Sequence, residues 1–289
     1  MTTTPQKATD EQPSVGDAAE RPRLTPAQRL HLDVYGFVLL ENVLTQHEIA
    51  RIKDALYRLK AEPDLAARGV YVNSRSAHFL SIGHLVEYDQ ALLDYAAHPA
   101  LVPLVEELVG GRVRLEESEA IINRRDPEAP DEPGPASGSR NRVQPLGFHT
   151  GARHGWGTYS ADHHFHCLFV KTLAYLTDVG PDDGGTAVIP GSHRLGWPEQ
   201  DIIDAAREDD RLIHQVEASA GSVLLFAESL VHSSTAVRGD RERAVMICGY
   251  TPPMMRVWPG NEPSPEFVAS LPEHQRPLLG GGDSWPWGR

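Results

Sequence analysis

Apolar positions keep helical spacing in the first hundred residues and then give way to short continuous runs. In "LTPAQRLHLDVYGF", Thr25 can cap a helix, Pro26 suits its first position and Gln28 completes a capping box. A strand, "GFVLLENV", follows. Thr45 then caps a second helix with Glu48 three residues on, and Ile49, Ile52, Leu56 and Leu59 line one face. A further helix is predicted from Ala100 to Val109, ending at Gly110-Gly111.

From Arg112 the pattern changes. "RVRLEESEAIINR" reads as a strand, and the stretch after it, rich in Pro, Gly and acids, reads as a loop over 126–146 that leads into His149. Long loops of this kind are functional or disordered, so a lid and a surface insertion are both open readings. Beyond it, "HCLFVKTLAYLTDV", "TAVIPGSHR", "GSVLLFAESLVH" and "RAVMICGYTP" are apolar runs separated by turn signals, with one helix at roughly 198–208. Many short strands between Gly/Pro turns predict a mainly β sandwich or barrel with flanking helices. We expect one domain over 24–289 preceded by a polar, disordered tail over 1–23.

Charge narrows the function. With 40 acidic and 27 basic residues the net charge is −13, which argues against binding a nucleic-acid polymer and leaves room for a small anion held by a few arginines. The tail lacks the apolar run of a signal peptide or membrane anchor. Cys167 and Cys248 both sit in apolar runs and read as buried free thiols of a cytoplasmic protein.

Two of the 14 histidines stand where strands could converge: His149 after the loop and His232 at the end of an apolar strand. Two imidazoles and one carboxylate form the facial triad of non-heme Fe(II) oxygenases. The stretch "LAYLTDVGPDDGGTAVIPGSHR" resembles the corresponding stretch of the phytanoyl-CoA-dioxygenase-like family, and the resemblance runs from about Leu24 to Pro253. It implies a double-stranded β-helix (jelly roll, cupin-like) and an enzyme that uses Fe(II), 2-oxoglutarate and O2. By the same resemblance "GSVLLFAESLVHSS" makes His232 the distal iron ligand and Ser234 the matching hydroxyl. Arg243, eleven residues on, becomes the partner of the 2-oxoglutarate distal carboxylate. The alternative for Arg243 is a surface ion pair with Asp240 or Glu242, and Arg241 is the neighbouring arginine that could be confused with it.

The family's proximal motif is His-x-Asp or His-x-Glu; here His149 matches and Gly151 does not. Three readings follow. In the preferred one the chain resembles the family's halogenase branch, where Gly or Ala frees a coordination position for chloride by removing both bulk and a negative charge. In the second, a carboxylate from elsewhere completes a hydroxylase site. Asp162, Glu119 and Glu228 are the candidates, or the cluster "SADHHFH" with His164 and His166 holds the metal. In the third the chain is a non-catalytic jelly-roll binding protein.

For substrate, the chain most resembles nucleotide halogenases of purine nucleoside antibiotic biosynthesis, which implies a small molecule such as a deoxyadenine nucleotide chlorinated at its 2′ carbon. Residues that fit are Arg153 and His154 for phosphate, Trp156 or Tyr159 for stacking, and Arg75, His78 and Arg194 at the same mouth.

Overall fold

The computed structural model describes residues 22–128, 145–255 and 262–280. The tail expected over 1–23 and the loop expected over 126–146 fall for the most part outside these residues.

Local signals set the first elements. Helix α1 (Pro26–Tyr35) has the capping box of Thr25 and Gln28 and stops at Gly36, whose left-handed φ of 87° closes the helix. Strand β1 (Phe37–Leu40) follows, then α2 (Gln46–Ala61) with its Thr45–Glu48 box. Next come β2 (Tyr71–Arg75), β3 (Phe79–Gly83), α3 (Gln90–Ala96) and α4 (Val102–Val109), the last closed by Gly110. The rest is mostly strand: β4 (Arg114–Asn123), β5 (Thr158–Ala161), β6 (His164–Cys167), β7 (Val170–Tyr175) and β8 (Thr186–Val188). After α5 (Glu199–Glu208) come β9 (His214–Val216), β10 (Val223–Ala227), β11 (His232–Ser234) and β12 (Arg243–Thr251), with short helices α6 (Pro265–Ser270) and α7 (Arg276–Gly280) last.

The strands form the mainly antiparallel jelly roll. A large sheet runs β1-β10-β7-β12-β4-β3-β2, and a smaller one runs β11-β8-β9. Two-residue periodicity divides the large sheet. Val245 and Ile247 of β12, Leu173 and Tyr175 of β7, and Leu224 and Phe226 of β10 face inward, where they pack with Val188 and Val216 of the small sheet. Ala244, Met246, Cys248 and Tyr250 face outward into a second core filled by Leu56, Leu92, Val105 and other helix residues. Cys167 and Cys248 are buried free thiols. Among the described residues no helix is long and apolar enough to cross a membrane.

Two apolar runs that read as single strands are broken. "HCLFVKTLAY" divides into β6 and β7, and "GSVLLFAESLVH" divides into β10 and β11. The second break corrects the expectation that His232 ends a strand: it begins one. The β10–β7 ladder ends where Glu228 N–H donates to Phe169 O at 2.9 Å, and a turn closed by Leu230 N–H on Ala227 O carries the chain across to the small sheet. That turn aims Glu228 into the interior.

Candidate active site

His149 and His232 meet across the edge of the small sheet. Each backbone N–H donates to the other's carbonyl, at 3.0 and 3.1 Å, and this hydrogen-bonded antiparallel pair puts both side chains on one face. Their ring centroids are 4.3 Å apart. Nδ1 of His149 lies 3.1 Å from Gly147 O, and Nδ1 of His232 lies 2.8 Å from Leu230 O. A carbonyl only accepts, so each Nδ1 carries a proton, which leaves Nε2 as the nitrogen through which each ring would bind a metal. Burial holds His232 down to about pKa 4 against the opposing pull of Glu228, so the ring is neutral near pH 7.

Arg243 opens β12 on the inner face, with the parity of Val245 and Ile247. It is 1% exposed, and its Nε and Nη1 have no hydrogen-bond partner among the described residues. A buried guanidinium left unpaired is costly, and a bidentate carboxylate is its natural complement. Asn123, its register partner on β4, has an unpartnered buried Oδ1. The surface ion pair considered for Arg243 does not form: Glu242 is taken by Lys60 and Tyr57, while Arg241 turns outward to Asp183. The two imidazoles therefore fit iron, and the orphaned guanidinium fits the distal carboxylate of 2-oxoglutarate. Ser234 stands on β11 opposite Thr186.

The surroundings of Gly151 were not legible in the sequence. Gly151 and Ala152 both donate their N–H groups to Glu228 O, at 2.9 and 3.2 Å. A Cβ at Gly151 would overlap Glu228 Oε2 and come within 2.9 Å of Phe169 Cε1. The place of a Cβ at 151 is thus taken by a carboxylate oxygen. Glu228 is 1% exposed, and its Oε1 lies 3.6 Å from His232 Nε2 and 3.4 Å from Lys171 Nζ. Burial opposes its ionisation, but Lys171 and the two histidines outweigh this and hold its carboxyl below the usual range. Lys171 also pairs with Glu117 at 2.7 Å. Burial raises the Glu119 carboxyl, which accepts a 2.6 Å hydrogen bond from Ser81. Among the described residues no three His, Cys, Asp or Glu side chains already stand as a metal cage.

The other candidate residues scatter. His164 pairs with Asp33 at 2.8 Å, His166 lies 3.2 Å from Leu108 O and stacks on Tyr159, and Asp162 is exposed in the β5–β6 turn. "SADHHFH" is a hairpin whose turn residues Asp162 and His163 have φ of 50° and 68°, and its histidines are spent on the surface of the helical layer. Arg153, His154 and Trp156 share one exposed turn that follows Gly151, closed by the Arg153–Trp156 bridge. His154 reaches the Gly196 loop after the PGSH turn. Arg194 lies over the Phe165 ring, 3.8 Å from Asp33 Oδ1. Arg75 donates to Lys60 O, and His78 is 3.7 Å from Asp126, both on the β2–β3 hairpin side. Tyr159 donates to Val109 O.

Residues 32–245 match the phytanoyl-CoA dioxygenase (PhyH) family model, most of the chain, and the protein belongs to that family of Fe/2-oxoglutarate-dependent enzymes. Its fold is shared with solved structures of low sequence identity. HygX from Streptomyces hygroscopicus, solved with nickel, 2-oxoglutarate and hygromycin B, is 20% identical, with TM-score 0.64 over 81% of this chain and 90% of that one. The epimerase SnoN, solved with Fe3+, alpha ketoglutarate and nogalamycin RO, is 18% identical, with TM-score 0.60 over 90% and 96%. AviO1 from Streptomyces viridochromogenes Tue57 is 19% identical, with TM-score 0.57 over 79% and 95%.

Proposed function

We propose that this member of the phytanoyl-CoA dioxygenase family oxidises an aliphatic carbon of a small molecule, using Fe(II), O2 and 2-oxoglutarate. The observation that carries the reading is Arg243: a guanidinium 1% exposed, with two nitrogens unpartnered, in a chain that also presents two imidazoles with free Nε2 atoms. His149 and His232 would hold the iron, and Arg243 and Ser234 the distal end of 2-oxoglutarate. Bound together, the two groups would supply the electrons that activate O2, and O2 is the oxidant that breaks an unactivated C–H bond.

The product depends on what completes the metal's shell. Hydroxylation is the outcome the geometry favours, because an ionised carboxylate lies in the space facing Gly151. Chlorination is the second reading. It is supported by Gly151, which offers no donor, and by the absence among the described residues of a preassembled three-residue cage. In that reading chloride binds beside Gly151 and the substrate is a deoxyadenine nucleotide. Arg153, His154 and Arg194 would meet its phosphate and Trp156, 67% exposed, its base, with Arg75 and His78 on the β2–β3 side. Glu117 and Glu228 weigh against an anion next to the iron, since Lys171 offsets only one of these two charges.

The test is anaerobic addition of Fe(II) and 2-oxoglutarate, which should give a weak visible charge-transfer band. Oxygen should then convert 2-oxoglutarate to succinate. Mass spectrometry with nucleotides and other small molecules, with and without chloride, separates the products. Absence of both the band and succinate formation rejects the reading. A chlorinated product reverses the order of the two outcomes.

A further inference from the structure

Glu228 Oε2 stands where the Cβ of a side chain at position 151 would sit. This follows from the backbone. Gly151 and Ala152 are tied to Glu228 O, so the segment after His149 runs directly over the turn that carries Glu228. A Cβ added at 151 meets that carboxylate and the Phe169 ring, so a side chain there requires the Glu228 carboxylate to shift. The glycine and the glutamate are therefore complementary: one gives up a side chain in the space the other enters.

We propose that Glu228 is the third protein ligand of the iron site, delivered from the β10–β11 turn in place of the missing residue at 151, and that Lys171 holds its carboxylate until metal arrives. The proposal rests on the Fe(II)/2-oxoglutarate reading above. Adjacent ligands on an octahedral metal with bonds of roughly 2.1 Å lie about 3 Å apart. Glu228 Oε1 is 3.6 Å from His232 Nε2, so a change of about 0.6 Å brings it into that relation. The terminal carboxylate torsion is broad and accommodates such a change. Lys171, 3.4 Å away, is a monovalent partner that a divalent ion outcompetes, and it keeps Glu117 at 2.7 Å when Glu228 leaves. The rival carboxylates are placed differently. Glu119 is engaged by Ser81, and Asp162 is exposed in a hairpin turn.

The experiment measures Mn(II) affinity by electron paramagnetic resonance with 2-oxoglutarate present, for wild type, E228Q, E119Q, G151D and G151D/E228A, with folding followed by circular dichroism. E228Q keeps the shape and removes the charge, and its Mn(II) dissociation constant should rise on the order of 100-fold, with E119Q near wild type. G151D alone should bind poorly or melt early, because its side chain meets Glu228. The double variant returns the carboxylate to position 151 and should recover most of the affinity. It decides the matter if E228Q fails to fold. Chloride should leave the anaerobic Fe(II)–2-oxoglutarate band of wild type unchanged. Wild-type affinity in folded E228Q, or a folded double variant that does not bind Mn(II), overturns the assignment while leaving the iron/2-oxoglutarate reading intact. Wild type that binds neither Mn(II) nor 2-oxoglutarate removes both.

Discussion

Replacing Arg243 by methionine should raise the stability of the cosubstrate-free protein and abolish its response to 2-oxoglutarate. Methionine is unbranched and fills a similar volume without polar atoms. Arg243 Nε and Nη1 are buried without partners, and an unsatisfied buried polar group costs roughly 1–3 kcal/mol. Removing that cost should stabilise the free protein by about 1–3 kcal/mol, or roughly 2–4 °C in Tm per kcal/mol for a protein of this size class. With 2-oxoglutarate at a hundredfold its Kd, wild type should gain about 2.7 kcal/mol by mass action, and the variant none. The order of melting temperatures therefore inverts or closes on adding cosubstrate. Differential scanning calorimetry under anaerobic conditions with Mn(II), with and without 2-oxoglutarate, reads both numbers. An R243M variant that melts below wild type without 2-oxoglutarate would show that the guanidinium is already satisfied. A retained shift would show that the carboxylate is held elsewhere, and either result refutes the argument from the orphaned charge.

Lys171→Met leaves buried Glu228 and half-buried Glu117 without their cation and should cost about 3 kcal/mol in urea unfolding; K171M/E228Q should recover part of it, and strict additivity would show that the pair does not interact. Gly36→Ala should lower stability by at least about 1 kcal/mol, because φ is +87° and the new Cβ would come within 2.7 Å of His193 Cγ; an unchanged Tm contradicts this. Burial, with Arg194 adding to it, holds His193 down to about pKa 4, so the unfolded chain binds the extra proton between about pH 6.5 and 4. Stability from this residue is then full above pH 6.5 and is lost as pH falls towards 4, by on the order of 3 kcal/mol. His193→Gln should flatten that part of the pH profile of unfolding, and an identical profile rules the account out.

The sequence by itself determined the elements whose cause is local. Thr25 and Thr45 cap helices because a hydroxyl three residues before a Gln or Glu satisfies free amides wherever the pair occurs. Gly36 and Gly110 end helices because only glycine takes their positive φ cheaply. His149, His232 and Arg243 were legible as a set from motif order, and the inward face of Arg243 from its parity along β12.

The tertiary structure decided what depends on a third element. "GSVLLFAESLVH" is apolar on both sides of Glu228-Ser229, and nothing in its period marks the break that turns the glutamate inward. That break exists because β10 stays with the large sheet while β11 joins the small one. Lys171 sits in an equally apolar run, and its charge is tolerable only because Glu117 and Glu228 arrive from two other segments. "SADHHFH" shows the converse: dense in metal-binding residue types, it folds into a hairpin whose imidazoles face away from one another's needs and toward Asp33 and Leu108. A missing side chain at 151 reads as empty space along one strand. Across two sheets it is room for a neighbour, because packing density is a property of the assembled interior and not of any one segment.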